Sequence, residues 1–146
     1  MPARATLLPH ASLLYFELYD TVHPGELWQT LNATYQSPEY TRGMTEVGDF
    51  RGVTDMQVGY DDMLTFTKTY NAFHSSDPAP LTLFLLEQNW LGFCIAKMHI
   101  AFSRSMKSPI KINVLPAFPE IFAALELSNT QIAEFPQHCR QEAHLL

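Results

Sequence analysis

GMTEVGDFRGVTDMQVGYDD, residues 43–62, runs from a strand pattern through a turn into the start of a helix. Met44 to Phe50 reads as a short strand and Gly52 to Gly59 as the loop after it. From Gly59 to Phe73 the apolar residues Met63, Phe66, Tyr70 and Phe73 recur at three- and four-residue steps. That spacing predicts an amphipathic helix, with Asp61 and Asp62 in the first turn, where the helix dipole favours negative charge. Strand, loop and helix in this order form half of a βαβ unit.

The flanking sequence repeats the theme. Residues 11–22, ASLLYFELYDTV, read as a strand, and His23-Pro24-Gly25 breaks it. Leu27, Leu31 and Tyr35 then share one helical face until Ser37-Pro38 stops the helix. Downstream, His74 to Pro80 is a breaker-rich connection, and LTLFLL after it is a continuous apolar run suited to a strand covered on both faces. Asn89 is placed to cap a helix whose Trp90, Phe93, Cys94, Met98, Ala101 and Phe102 form a wide apolar face; Ile95, Ala96 and Ile100 extend it, as in a helix buried on both sides. Ile110 to Leu115 is the last strand, and Phe118 to Leu127 a short helix announced by Pro116 and Pro119.

The expected fold is therefore α/β, with β-α-β-α-β-α-β-α order and a mainly parallel sheet of four or five strands. Function in such sheets sits at the carboxyl ends of the strands, here near His23, Arg51 to Val58, Glu87 to Trp90 and Pro116 to Phe118. The expected domain is residues 1–127, with 128–146 as an extension, a short helix or loosely attached tail divided by Pro136.

Composition narrows the function classes. The 146 residues are enough for one domain with its own core. A net charge of −6 with nine scattered basic residues offers no stripe to neutralise a phosphate backbone, so nucleic acid is not expected. No apolar run reaches the roughly 18 residues of a membrane-spanning helix. MPARATLLPHASLL is interrupted by Pro9 and His10 and lacks a small-residue cleavage site, so a cytoplasmic location is expected. Cys94 and Cys139 fit reduced thiols better than a disulfide framework.

Few motifs carry chemistry. The six glycines never approach a phosphate-binding loop, and the six histidines lack zinc-site spacing; His138-Cys139 with His144 comes nearest. Asp55, Asp61 and Asp62 could gather around a divalent cation, but acidic residues at a helix start are far commoner than metal sites. No cofactor and no metal are expected. Cys94 and His99 lie five apart on one helix and so on different faces, which leaves no nucleophile–base pair and no expected catalysis. Asp49 and Arg51 lie two apart on a strand and point to the same side. They read either as an anion or partner site, with Arg51 supplying a planar donor fork, or as a structural pair in which Arg51 meets Asp49 or Asp55 and fixes the loop. Tyr60 and Trp90 flank strand ends, where aromatic rings could line a pocket or a dimer contact.

Several local strings in this order resemble the SpoIIAA-like family, a branch of STAS-type domains related to anti-anti-sigma factors. They are GEL at Gly25 to Leu27, SPEY then RGM within Ser37 to Met44, DFRGVT at Asp49 to Thr54, and KINVLPAFPEIFAAL. The resemblance spans roughly residues 12–127 and implies a four- or five-stranded sheet with helices packed on it. It further implies a binding module controlled by phosphorylation of a serine in the loop after the central strand. Here that loop, Asp55 to Gly59, has no serine, and Val58 stands at the acceptor position. The combined expectation is a non-catalytic interaction or regulatory module, a homodimer with a possible protein partner, whose face is Asp49, Arg51, Asp55, Tyr60 and Trp90. The alternative is a carrier or sensor of a small apolar or lipid-like ligand held between the sheet and the Trp90 helix.

Overall fold

A computed structural model of the chain describes residues 3–144, with side chains through Glu142. Five strands form one sheet in the order β1-β2-β3-β4-β5: β1 (Ala3–Leu8), β2 (Leu13–Val22), β3 (Thr45–Met56), β4 (Thr82–Leu86) and β5 (Lys111–Leu115). β1 is antiparallel to β2, and every later pairing is parallel. Helices α1 (Glu26–Tyr35), α2 (Tyr60–His74) and α3 (Trp90–Ser105) connect the parallel strands. Because the strands advance in one direction and parallel crossovers are right-handed, all three helices fall on one face. The opposite face is left to α4 (Phe118–Ala124), α5 (Asn129–Ile132) and α6 (Gln137–His144).

Strand alternation divides the apolar residues accordingly. Leu14, Phe16, Leu18, Phe50, Leu83 and Leu85 meet Leu27, Leu31, Met63, Ile95 and Phe102 in the first core. Leu13, Tyr15, Val47, Phe84 and Leu86 meet Phe118, Ile121, Phe122, Phe135 and Cys139 in the second. The run LTLFLL thus contributes to both cores, as a strand covered on both faces must. Asn89 caps α3, its Oδ1 accepting from the Gly92 amide at 2.8 Å.

Four expectations need correction. The segment ARATLL, weighed only as part of a leader, is strand β1, which pairs with β2 from Ala3↔Leu18 to Leu8↔Leu13. The strand expected to end at Phe50 continues to Met56, so Gly52 to Met56 is strand and Thr54 is not a turn residue. It continues because the ten-residue β2 offers it a partner beyond the end of β4, pairing from Tyr19↔Gly52 to Val22↔Met56. The buried face of α3 is Ile95, Ala96, His99, Phe102 and Ser103, not the face of Trp90 and Phe93. Trp90 is 73% exposed and stacks on Phe93 with ring centres 5.4 Å apart, so α3 is not buried on both sides. Cys139, expected in a polar tail, is fully buried against the second core together with Phe135.

Candidate functional site

The DFRG motif lies where β3 outruns β4. Asp49 and Arg51 point to the second-core face, toward Tyr15 and Glu17 on the neighbouring β2. Gly52 follows because β2 shifts register between Glu17 and Tyr19, and a Cβ here would lie 2.9 Å from the Tyr19 Cβ. A side chain at Gly52 would push the two strands apart just where the pair is presented.

Arg51 is held on both edges of its guanidinium. Nε and Nη2 donate to the two Asp49 oxygens, each at 2.9 Å. Nη1 and Nη2 donate to the two Glu142 oxygens at 2.6 and 2.8 Å. Asp49 also accepts from the Tyr15 hydroxyl at 2.9 Å and from the Arg51 amide at 3.1 Å. Phe118 lies beneath the fork, its ring centre 5.2 Å from the guanidinium carbon. Burial disfavours the Arg51 charge, but the hydrogen bonds and charges of Glu142 and Asp49 outweigh it, so the cation is held more firmly than in water. Beside it, His138 Nε2 donates to Glu17 at 3.0 Å, and Arg4 pairs with the same carboxylate at 2.8 Å.

The pairing of Arg51 with Asp49 is the structural one anticipated from their spacing; the partner Glu142 was not, because 91 residues separate the two. Asp55 does not join them: it accepts from its own neighbours, the Met56 amide and the Gln57 side chain. Tyr60 begins α2 and is 64% exposed, and Trp90 begins α3. The five predicted residues therefore do not form one pocket. Asp49 and Arg51 form a built site, bordered by an open cleft of about 320 Å³ that Glu17, Leu18, Tyr19, Gly52, Gln88 and His138 complete.

Burial pushes the Cys139 thiol up to about 12, so it stays protonated at neutral pH and is no nucleophile. Burial first, and then the Asp49 charge, raise the Tyr15 phenol as well, which keeps it a hydrogen-bond donor. Among the described residues no cluster of three or more His, Cys, Asp or Glu could hold a metal ion. The side chain of His144 lies outside the described residues.

A second polar cluster was missed. Glu46, 3% exposed, accepts from the hydroxyls of Tyr35 at 2.8 Å and Tyr70 at 2.7 Å. His74 lies 3.2 Å from the same carboxylate through Nε2 and 2.7 Å from Asp77 through Nδ1, and Arg42 meets Asp77 at 3.2 Å. The signal was strand parity: Glu46 is in phase with Gly48 and Phe50 and so faces the helices.

Between the sheet and α1 to α3 is a cavity of about 30 Å³, lined by residues that include Phe16, Gly48, Phe50, Met63 and Ile95. No family model, curated protein or solved structure matches this chain.

Proposed function

We propose that this chain is a non-catalytic, STAS-like interaction module that binds a protein partner at the Asp49–Arg51 end of the sheet. The observation that carries the reading is the Arg51 fork, preset by Asp49, Tyr15 and Phe118 beside an open cleft just past the carboxyl end of β4, where β2 and β3 run on. This is where parallel sheets place their ligands. A five-stranded sheet with helices on both faces agrees with the architecture that the resemblance implies. Val58, at the position of the acceptor serine, is buried, which favours a constitutive module over a phosphorylation switch. The same module is proposed to act as a homodimer, and the exposed Trp90–Phe93 pair is the support for that; native mass spectrometry of the wild type and Trp90→Glu reads it.

The cavity favours this reading over the ligand carrier. About 30 Å³ of cavity, at roughly 10–15 Å³ for each enclosed water, holds two or three waters, so a lipid-like chain would have to part the sheet from its helices.

Arg51→Lys tests the proposal better than Arg51→Ala, because it keeps a positive charge beside the buried Asp49 while losing the planar fork. The expected result is an unchanged circular dichroism spectrum and a depleted partner profile on affinity capture. Identical profiles for wild type and Arg51→Lys would remove the proposal.

A further inference from the structure

The two carboxylates on Arg51 are held in different ways. Asp49 belongs to the same strand, two residues away, and is fixed by Tyr15 and by the Arg51 amide. Glu142 comes from α6, and among the described residues its carboxylate meets Arg51 alone. The outer edge of the fork is therefore filled by a group that no strand provides.

Helix α6 is lightly attached. The chain is anchored up to Phe135, since the Glu134 carboxylate accepts the His10 and Ala11 amides at 3.1 and 2.8 Å and Phe135 is buried. Pro136 follows, and then come eight residues, QHCRQEAH; among those whose side chains are described, only Cys139 is fully buried. A helix this short does not persist in water without tertiary contacts. Besides Cys139, the side-chain contacts of α6 among the described residues are the Glu142 pair, the His138–Glu17 bond at the cleft, His138 Nε2 at 3.4 Å from the Tyr15 hydroxyl, and an Arg140 bond to the Phe135 carbonyl at 3.0 Å. Opening past Pro136 would uncover the outer edge of Arg51 without disturbing a strand.

Charge and shape name what belongs there. With Glu142 removed, Arg4 and Arg51 balance Asp49 and Glu17, so one negative charge replaces what was lost. A planar two-oxygen group fits a guanidinium edge. A doubly charged phosphate beside Asp49 and Glu17 would instead leave an excess of negative charge in a half-buried site.

We infer that the outer edge of Arg51 is a subsite for a partner's aspartate or glutamate carried on a short helix, and that Glu142 on α6 occupies it in cis. The inference rests on the reading of this end of the sheet as a binding face, and it adds both the partner's anchor and its competitor. A tethered competitor acts at an effective concentration of about millimolar, so the resting chain conceals the subsite from weak acidic peptides.

The test uses the full chain and its Glu142→Gln variant, with a fluorescein-labelled peptide EFPQHCRQEAH, the sequence of residues 134–144, as probe under reducing conditions. Amides 137–144 are expected to exchange hydrogen at least about tenfold faster in Glu142→Gln, and the peptide to bind that variant at least about tenfold more tightly than wild type by anisotropy. Binding should vanish when the peptide's glutamate matching Glu142 is made glutamine, and when Arg51→Lys is added to the variant. Unchanged exchange would show that α6 is a fixed part of the fold and overturn the inference. Faster exchange without peptide binding would overturn it too, because the opened edge would then accept no carboxylate. Either failure leaves the broader binding proposal to the affinity capture with Arg51→Lys, whose readout does not depend on α6.

Discussion

His74 and His99 set opposite demands on pH from within one core. The Glu46 carboxylate accepts from two tyrosines, and the Tyr35 oxygen lies 2.9 Å from His74 Nε2, whose other nitrogen faces Asp77. With acceptors facing both nitrogens, the protonated form of His74 is favoured. Burial opposes that charge, but the bonds and charges of Glu46 and Asp77 together outweigh it, and its pKa is raised. The stability this adds is complete below the unfolded value, about 6.5, and is lost as pH rises through the folded value. His99 runs the other way: burial lowers it to about 4, with Nδ1 on Thr67 and its ring packed against Phe66 and Tyr70. Between pH 6.5 and 4 the unfolded chain takes up the proton and the folded chain does not, so stability falls by up to about 3 kcal/mol. Urea titrations of wild type and His99→Phe from pH 7 to 4.5 should therefore converge toward acid, since the variant lacks this loss. Parallel curves would mean that His99 titrates as it does in water. Tyr70→Phe should cost about 1.5–3 kcal/mol at neutral pH, a buried hydrogen bond to a charged acceptor, and a loss under 0.5 kcal/mol would deny the network that weight.

At the scale of elements, the Asn89 side chain ties α3 to β3 by hydrogen bonds. Asn89 Oδ1 caps Gly92, while Nδ2 donates to the Arg51 and Val53 carbonyls at 3.0 and 3.3 Å. Asn89→Ala should cost about 2 kcal/mol in denaturant titrations, and Asn89→Asp should not restore it, although aspartate caps helices as well as asparagine does. A carboxylate has no hydrogen to offer the two carbonyls. Full rescue by aspartate would reduce Asn89 to an ordinary cap. The cap was legible in the sequence because it is local, and so were α1 and α2, where Leu27, Leu31, Met63 and Tyr70 mark the buried stripe. The face of α3 was not legible. Apolar residues surround this helix, so periodicity could not decide between Phe93 and Ile95; the close fit of Gly92 over Phe50, where a Cβ would lie 3.1 Å from the Phe50 carbonyl, decides it. Strand β1 was hidden for a related reason: ARATLL has little alternation of its own, and its hydrogen bonds depend on β2. The Asp49–Arg51 pair was readable from a spacing of two, whereas Glu142 depended on the path of α4 to α6.

Across the whole molecule, one sheet carries two cores that share no helix, and the sheet must transmit any loosening from one to the other. Phe135 packs in the second core, its ring centre 5.0 Å from Phe122 and 5.8 Å from Phe118. Trp28 lies across the sheet, packed on Tyr35 and Phe73 of the first core side. β2 and β4 supply both cores from alternate residues: Leu14 and Leu83 to one, Leu13 and Phe84 to the other. Loss of register in these strands would therefore loosen both cores. In a Trp90→Phe background, where Trp28 is the remaining tryptophan, Phe135→Ala should therefore lower the Trp28 fluorescence midpoint in urea and the circular dichroism midpoint together. The expected loss is about 3–5 kcal/mol, that of truncating a buried phenylalanine. If the Trp28 midpoint stays in place while part of the helical signal is lost earlier, the second core unfolds by itself. Its helices α4 to α6 would then be a separable layer on a sheet stabilised from one side alone.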